Sequence, residues 1–446
     1  MNTKDTTFVF KGYDAQIRGG EIRFFYELNR GLERTYFSET LRFPQPEGTL
    51  LPTEVLTPLL DSLLLILGIS YWKLYCPKHI ELPALRLSPE QAAFWNTVYT
   101  KGLGEFFYKN KLDYRGLVSF PQDTSVQPTA SSFTRKDRSL VPLGGGKDSI
   151  VTAELLKSAH KPFTLFAVNP APIQSVVAGY IEESFIGFSR DLDPKLAELN
   201  KQEGTYNGHV PISVVYAFVG LLAAAIYDYR SVVVSNERSA NFGNVQYLGE
   251  EINHQWSKSA EFEWLLQSYV SRYIAPDMTY FSFLRPFSEL KIAKLFAKHP
   301  KYFFVFSSCN RNFVLSGKPM EGKWCGVCAK CAFVFSLFAG ILPKHEVISI
   351  FGTNLFADTT LVPLFRELFG LEHSKPFDCV GTPDELYVSF FAAYKKGEFH
   401  QDPIMELFED AVLPRLQNVS ALETILLTPE IPASFPPAFI DIISTV

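Results

Sequence analysis

The sequence predicts a doubly wound, mostly parallel α/β sheet, preceded by an N-terminal β-meander and helical region and followed by a mostly helical C-terminal region. Three observations lead there. From 140 to about 342, short β-rich runs alternate with helical patterns, the rhythm of strand–helix–strand crossovers. Within it, "SLVPLGGGKDS" (139–149) sets three glycines between a strand and a helix start, where backbone amides can approach an anion. Residues 7–43 hold three near-alternating runs divided by turn residues, which is a meander pattern.

Taken in order, "TTFVFKGY", "EIRFFYEL" and "TYFSETLRF" are strands, with Gly19-Gly20 and Asn29 to Gly31 as turns. From Pro52 the pattern turns helical, in "TEVLTPLLDSLLLILGISYW" and "SPEQAAFWNTVYTKGLGEFF". The polar stretch 121–139 reads as a linker or mobile loop, which sets off an N-terminal region at 1–120. A glycine-loop domain then spans 140–343. It takes "SLVPL" as a strand, 149–159 as a helix, "FTLFAV" as a strand and 212–227 as a long helix. "SVVVS" (231–235) is the next strand, 288–298 a helix, and "YFFVFSS" (302–308) a further strand. Residues 344–446 form the helical C-terminal region. Ligands of such a sheet sit beyond the carboxyl ends of its strands.

With 446 residues, 47% hydrophobic and 20% charged, the chain has ample core material for two or three domains. A formal charge of −5 without a basic stripe argues against nucleic acid as partner. Forty phenylalanines read as core packing. The opening "MNTKDTTFVF" shows no secretory pattern. Val210 to Tyr227 carries no charge but contains Pro211, Ser213 and Gly220 and lacks close basic flanks. It therefore reads as a buried core helix, and the protein as soluble and cytoplasmic.

Four of six cysteines group: Cys309, then Cys325, Cys328 and Cys331 in "CGVCAKC". Four thiolates suffice for a closed tetrahedral Zn²⁺ site. Free buried thiols and an iron–sulfur cluster are the other readings. Cys76 and Cys379 stand alone, so the pattern is not a disulfide framework.

"GGGKDS" is neither a Walker loop nor a dinucleotide fingerprint, since the required glycine and lysine spacings are absent. A tight strand–helix turn without a ligand would need no Asp148 or Ser149 at the helix start. The run resembles the Ser-Gly-Gly-x-Asp-Ser loop of the PP-loop ATP pyrophosphatases. That resemblance implies ATP, with Gly144, Gly145, Gly146, Lys147 and Ser149 around its phosphates and Asp148 helping to hold Mg²⁺. Gly144 departs from the family's Ser, which removes one hydroxyl donor. Asn169, after the second strand, falls where this superfamily reads adenine and ribose. "LRPFSELKIAKLF" (284–296) resembles its Pro-rich entry into a basic helix, with Lys291 or Lys294 toward the phosphates or on a solvated face. The cysteine group resembles that of the cyano-deazaguanine synthases, PP-loop enzymes with structural zinc.

Three further clusters are dense in functional groups: "NGHVP" (207–211), "VVVSNERSA" (232–240) and "INHQWSKS" (252–259). In order, "GGGKDS", "NPAP", "GHVP", "SNERSA", "NHQWSKS", "RPFSEL", "SCNR" and "WCGVCAKC" resemble the UDP-N-acetylmuramoyl-L-alanyl-L-glutamate epimerases of peptidoglycan synthesis. The resemblance covers about 140 to 335 and extends more weakly to the first 120 residues and "PFDCVGTPDE". It implies ATP- and Mg²⁺-dependent inversion of the terminal L-Glu, with release of AMP and diphosphate, after a ligase has added that L-Glu. Adenylation of the carboxylate would make Cα–H acidic enough for a side-chain base. His254, Glu237, Lys258 and Cys379 all suit the acid–base role, and His254 has the nearest unperturbed pKa. Asn236, Arg238 and Trp256 are candidate substrate contacts; Arg238 could hold a carboxylate or diphosphate oxygen through two bonds. Two other readings stay open: a PP-loop nucleobase- or tRNA-modifying enzyme, and a non-enzymatic nucleotide-sensing zinc module.

Overall fold

The computed structural model describes residues 6–47, 51–128, 130–313, 322–372 and 375–446. Residues 1–5, on which the reading of the N-terminus partly rests, lie outside them. β1 (Thr6–Gln16), β2 (Glu21–Arg30) and β3 (Glu33–Arg42) form the antiparallel meander that alternation predicts. Its inward residues Phe8, Phe10, Phe24, Tyr26 and Phe37 are buried. α1 (Thr53–Trp72) is long and apolar enough to cross a bilayer, yet most of it is buried inside the protein; it is the central core helix. β4 (His79–Glu81) adds a short strand parallel to β1. α2 (Pro89–Gly102), opened by a Ser88–Gln91 capping box, and α3 (Gly104–Lys109) follow. The described residues of 121–138 include no helix or strand and are tied by backbone bonds from Asp123 to Leu87 and Ser131 to Ile274.

The alternating part comprises β5 (Ser139–Pro142), α4 (Lys147–Ser158), β6 (Phe163–Val168), α5 (Pro172–Ile181), β7 (Phe185–Asp191), α6 (Lys195–Leu199), α7 (Ile212–Ile226) and β8 (Ser231–Val234). A hairpin of β9 (Val245–Tyr247) and β10 (Glu250–Ile252) precedes α8 (Ala260–Tyr273), β11 (Thr279–Ser282) and α9 (Glu289–Phe296). The remainder is helical: α10 (Ala329–Ile341), α11 (Lys344–Phe351), α12 (Val362–Leu368), α13 (Pro383–Lys396), α14 (Pro403–Ala411), α15 (Val419–Leu427) and α16 (Ile440–Ser444).

Among the described residues, nine strands form one sheet in the order β11-β8-β5-β6-β7-β3-β2-β1-β4. β11 through β7 are mutually parallel. The meander joins this sheet directly, because β3 pairs antiparallel with β7, Leu41 opposite Arg190. Successive strand residues face opposite layers. Leu140, Phe166 and Val232 enter one core with α1, α2, α7 and α8. Val141, Leu165 and Val233 enter the other with α4, α5, α9, α10 and the C-terminal helices.

The strand expected at 302–308 does not form. Residues 300–302 make a single 3₁₀ turn, and turns follow. Tyr302, Phe303 and Phe306 are buried, while Phe304 is exposed. This spacing follows a turn rather than a strand, and the rings pack on Phe296 and Phe338. The aromatic content there fills a core; it does not build a sheet.

Candidate active site

The chain leaves β5 toward β6 on one side, and β8 lies on the other. That reversal places a crevice beyond the carboxyl ends of β5 and β8. Four connections converge there: 143–146 after β5, Asn169 after β6, 235–238 after β8 and 283–288 after β11.

The glycine loop turns through Gly145 at φ +79, a conformation open to glycine at little cost. Gly146 packs so closely that an added Cβ would meet Ser308 Oγ at 2.8 Å. Ser149 Oγ accepts from the Gly144 amide and donates to the Gly146 carbonyl, each at 3.2 Å, and so closes the loop on the first turn of α4. Lys147 does not point outward: it is fully buried and pairs with Asp148 and with Glu289 at the start of α9. Lys330 Nζ, on the first turn of α10, lies 3.6 Å from Glu289 Oε1. Burial opposes the Glu289 charge, but Lys147 and then Lys330 outweigh it and hold the carboxyl well below its usual range.

A second cluster adjoins it. Lys258 Nζ donates to Cys379 Sγ at 3.3 Å, and His254 is hydrogen-bonded to the same sulfur. His254 Nδ1 lies 2.5 Å from Glu105 Oε2, which also takes His209 Nδ1 at 3.2 Å. Burial disfavours the Cys379 thiolate, yet Lys258 and His254 lower its pKa to about 6. Burial likewise opposes the His254 charge, and the bonds to Cys379 and Glu105 raise its pKa to about 9. His209 is pushed down to about 4 by burial and by His254. Near neutrality the group is thus a thiolate beside an imidazolium and an ammonium. The donors of Glu105, His209 and His254 would suit a cation by type, but Lys258 and Lys73 repel positive charge there.

Local structure fixes this pairing. The His254 amide donates to Asn244 Oδ1 at 2.8 Å, while Asn244 Nδ2 donates to Pro376 O at 2.7 Å. Asn244 thereby clamps the loop that carries Cys379 onto the one that carries His254. Arg285 donates to the carbonyls of Glu237 and Lys258 and pairs with Glu263 at 3.0 Å, which joins the loops after β8 and β11.

The four clustered cysteines come together with all Sγ atoms within 4.8 Å of one another. Sulfur separations of 3.7 Å (Cys325–Cys331) and 3.5 Å (Cys328–Cys331) approach the ~3.8 Å edge of a ZnS₄ tetrahedron with ~2.3 Å bonds. All are free thiols, so the donor set fits zinc.

Other expected residues lie elsewhere. Trp256 is buried in the core, its indole N–H donating to Glu261 at 2.8 Å, and so it offers no substrate face. Lys291 binds the Val446 carbonyl and Lys294 pairs with Glu423; both tether the C-terminal helices, far in role from any phosphate. Asn169 spends its amide on the backbone of Arg190, at 2.8 and 2.7 Å. Arg238 pairs with Glu430 at 2.5 Å. Asn236 and Glu237 do lie at the crevice, and Glu237 Oε1 is buried without a hydrogen-bond partner. Sequence reasoning missed Glu105, Asn244, Arg285, Glu289 and Lys330, and held His209 only as part of "NGHVP", without a role. Arg285 and Glu289 were visible inside "LRPFSEL", and Lys330 inside "CGVCAKC"; Glu105 carries no local signal.

Comparison with known families decides the affiliation. Residues 1–283 match the MurL N-terminal domain and residues 305–423 the MurL C-terminal domain. The chain belongs to the MurL family. A UDP-N-acetyl-alpha-D-muramoyl-L-alanyl-L-glutamate epimerase from Xanthomonas oryzae pv. oryzae is 38% identical over 80% of this chain and 79% of its own length. Epimerases of the same name from a Micromonospora species and from Salinispora tropica are each 35% identical over 97% of this chain, and over 96% and 94% of their own lengths. Against the MurL division, the glycine loop, Glu105, His254 and Lys258 fall in the N-terminal domain. Cys309, Cys325, Cys328, Lys330, Cys331 and Cys379 fall in the C-terminal one. The site is assembled only where the two meet.

Proposed function

We propose that this protein inverts the terminal L-Glu of UDP-N-acetylmuramoyl-L-alanyl-L-glutamate to D-Glu, as the names of its relatives state for them. The structural observation that carries the reading is the adjacency of two different chemistries. An anion-suited glycine loop adjoins a partly buried thiolate–imidazolium–ammonium group through Lys147, Glu289 and Lys330, with Lys330 sensing the charges of both Asp148 and Cys379.

The first step uses ATP. The α-carboxylate attacks its α-phosphorus, diphosphate leaves, and a mixed anhydride with AMP results. Amides of Gly144, Gly145 and Gly146 and the N-terminus of α4 would receive phosphate oxygens. Asp148, at the start of α4, would hold Mg²⁺, which supplies charge neutralisation when bound. Activation removes the carboxylate charge that otherwise opposes Cα deprotonation. Proton removal on one face and return on the other invert the centre, and hydrolysis releases AMP. Cations beside Cys379 favour the enolate oxygen. Cys309, Cys325, Cys328 and Cys331 would hold a structural Zn²⁺, outside the reaction. Both substrates are cytoplasmic metabolites, and the dipeptide must come from a ligase that adds L-Glu.

The test is the order of events in D₂O. With ATP-Mg²⁺, product D-Glu should carry deuterium at Cα and diphosphate should appear; without ATP, neither epimer should be labelled. Label uptake without ATP would overturn the adenylation step. Release of diphosphate in response to a free nucleobase, and not to the dipeptide, would favour the modifying-enzyme reading instead.

A further inference from the structure

An ATP-activated glutamyl residue still needs a base, and donor type alone offered four. The geometry separates them. Lys258 is held as an ammonium, above all by the Cys379 charge. His254 has its Nδ1 against the Glu105 carboxylate and so is kept cationic. Neither can accept a proton in that state. Glu237 is buried to 4% exposure, its backbone carbonyl is held by Arg285, and its Oε1 meets no hydrogen-bond donor, so no relay carries a proton away from it. Cys379 alone of the four joins a free electron pair to partial exposure: it is a partly buried thiol with the Lys258 ammonium donating to it at 3.3 Å.

We propose that Cys379 is the base that removes the Cα proton from the L-glutamyl residue, and that Glu105, acting through His254, is its positioning residue. The proposal rests on the epimerase reading. In the step, the Cα–H bond breaks and its electron pair becomes the enolate double bond, with negative charge on the former carbonyl oxygen. The proton forms S–H on Cys379. One negative charge thus moves from sulfur to an oxygen beside it, so Lys258, His254 and Lys330 keep an anion to face throughout. No new charge has to be desolvated, which favours the transition state over its solution counterpart. The opposite face is protonated by an acid in exchange with water.

Glu105 explains why His254 does not take the proton itself. It binds both imidazoles, yet at unequal distances, and the two histidines separate into one charged and one neutral ring. Opposed environments of two like groups mark divided acid–base roles.

The full-length protein is assayed with the UDP-linked L-alanyl-L-glutamate and ATP-Mg²⁺ in D₂O. Diphosphate, D-Glu and the deuterium content of recovered L-Glu are read together. Cys379→Ala should still release diphosphate, lower D-Glu formation by about 10²-fold or more, and return unlabelled L-Glu. Cys379→Ser, with nearly the same volume, provides the same readout if the alanine variant does not fold. D-Glu formation within about threefold of the parent overturns the assignment. So does deuterium in L-Glu without D-Glu, which makes Cys379 the acid of the other face. Loss of diphosphate release in a folded variant overturns it too, by moving Cys379 to the adenylation step. Failure of the parent itself to form diphosphate or D-Glu would instead sink the epimerase reading, and with it this one. For Glu105→Gln the readout is the pH profile. Cys379 is faced by Lys258 and His254 from one loop, Lys330 from α10 and Lys375 from its own segment. Weakening only His254 should narrow the pH range of activity from both sides, with Glu105→Asp restoring part of it. A uniform drop at every pH, with unchanged limbs, would remove Glu105 from the positioning role.

Discussion

Lys258 Nζ and Cys379 Sγ lie 3.3 Å apart although 121 residues separate them in sequence. One belongs to the MurL N-terminal domain and the other to the C-terminal domain. A part-buried charge pair across such a seam means that neither part holds the pair alone. Its consequences can be measured.

The first is the pH dependence of the parent enzyme. Cys379, lowered to about 6, is a thiolate above that pH; His254, raised to about 9, is charged below it. Both forms coexist between. Values of kcat/KM should therefore climb through about pH 6, stay level, and fall through about pH 9. A profile still climbing beyond pH 9 would contradict the pairing.

The second concerns the glycine loop. Gly145→Ala forces a side chain into the left-handed region, at φ +79, for about 1–2 kcal/mol. Ser149→Ala removes the hydroxyl between Gly144 and Gly146, and Asp148→Ala the nearest carboxylate. AMP formation should drop about tenfold or more in the first and vanish in the other two, with circular dichroism unchanged. AMP formation at the parental rate in all three would remove ATP from this loop.

Metal analysis supplies the third. Purified protein should carry about one zinc per chain, by the four-ligand rule. Cys328→Ser should lose it and melt at lower temperature, whereas Cys76→Ser, whose thiol is buried away from the cluster, should keep it. Equal zinc in both variants would refute the shared site.

Stability is the fourth. Lys147→Met strips the buried Glu289 of its nearer cation and leaves Lys330 at 3.6 Å. Leaving a buried charge so under-compensated costs about 3–5 kcal/mol. Urea unfolding should show most of this loss, and Lys147→Met combined with Glu289→Gln should recover part of it. A single variant as stable as the parent would mean that the pair carries no weight.

Much of this was readable in the sequence for a local reason. The alternation of "TTFVFKGY" and its neighbours, and the glycines before α4, are short-range signals, and β1, β2, β3, β5 and β6 follow them. The four cysteines announced their cluster through spacing. What failed was long-range. Nothing near Glu105 marks it as the partner of a histidine 149 residues away. Trp256 looked like a ligand platform because it stands in a polar loop; tertiary packing turned its ring into the core. The 302–308 run has strand composition but turn spacing, and composition misled. Lys291 and Lys294 share a motif with Glu289, but the helix face decides which of them looks inward.

The junction of β3 with β7 bears on how the chain comes to be folded at all. Glu39 is fully buried and pairs with Arg190, 151 residues further on. As synthesis proceeds from the N-terminus, β3 is made early and then waits, one edge open and one carboxylate unanswered, until β7 emerges. Open edges of that kind recruit other chains, and pairings so distant in sequence form slowly. Nascent chains halted before residue 190 should therefore be the aggregation-prone species. A permuted chain that starts at 121 and brings the meander in last would let β5, β6 and β7 assemble first, and should fold faster for it.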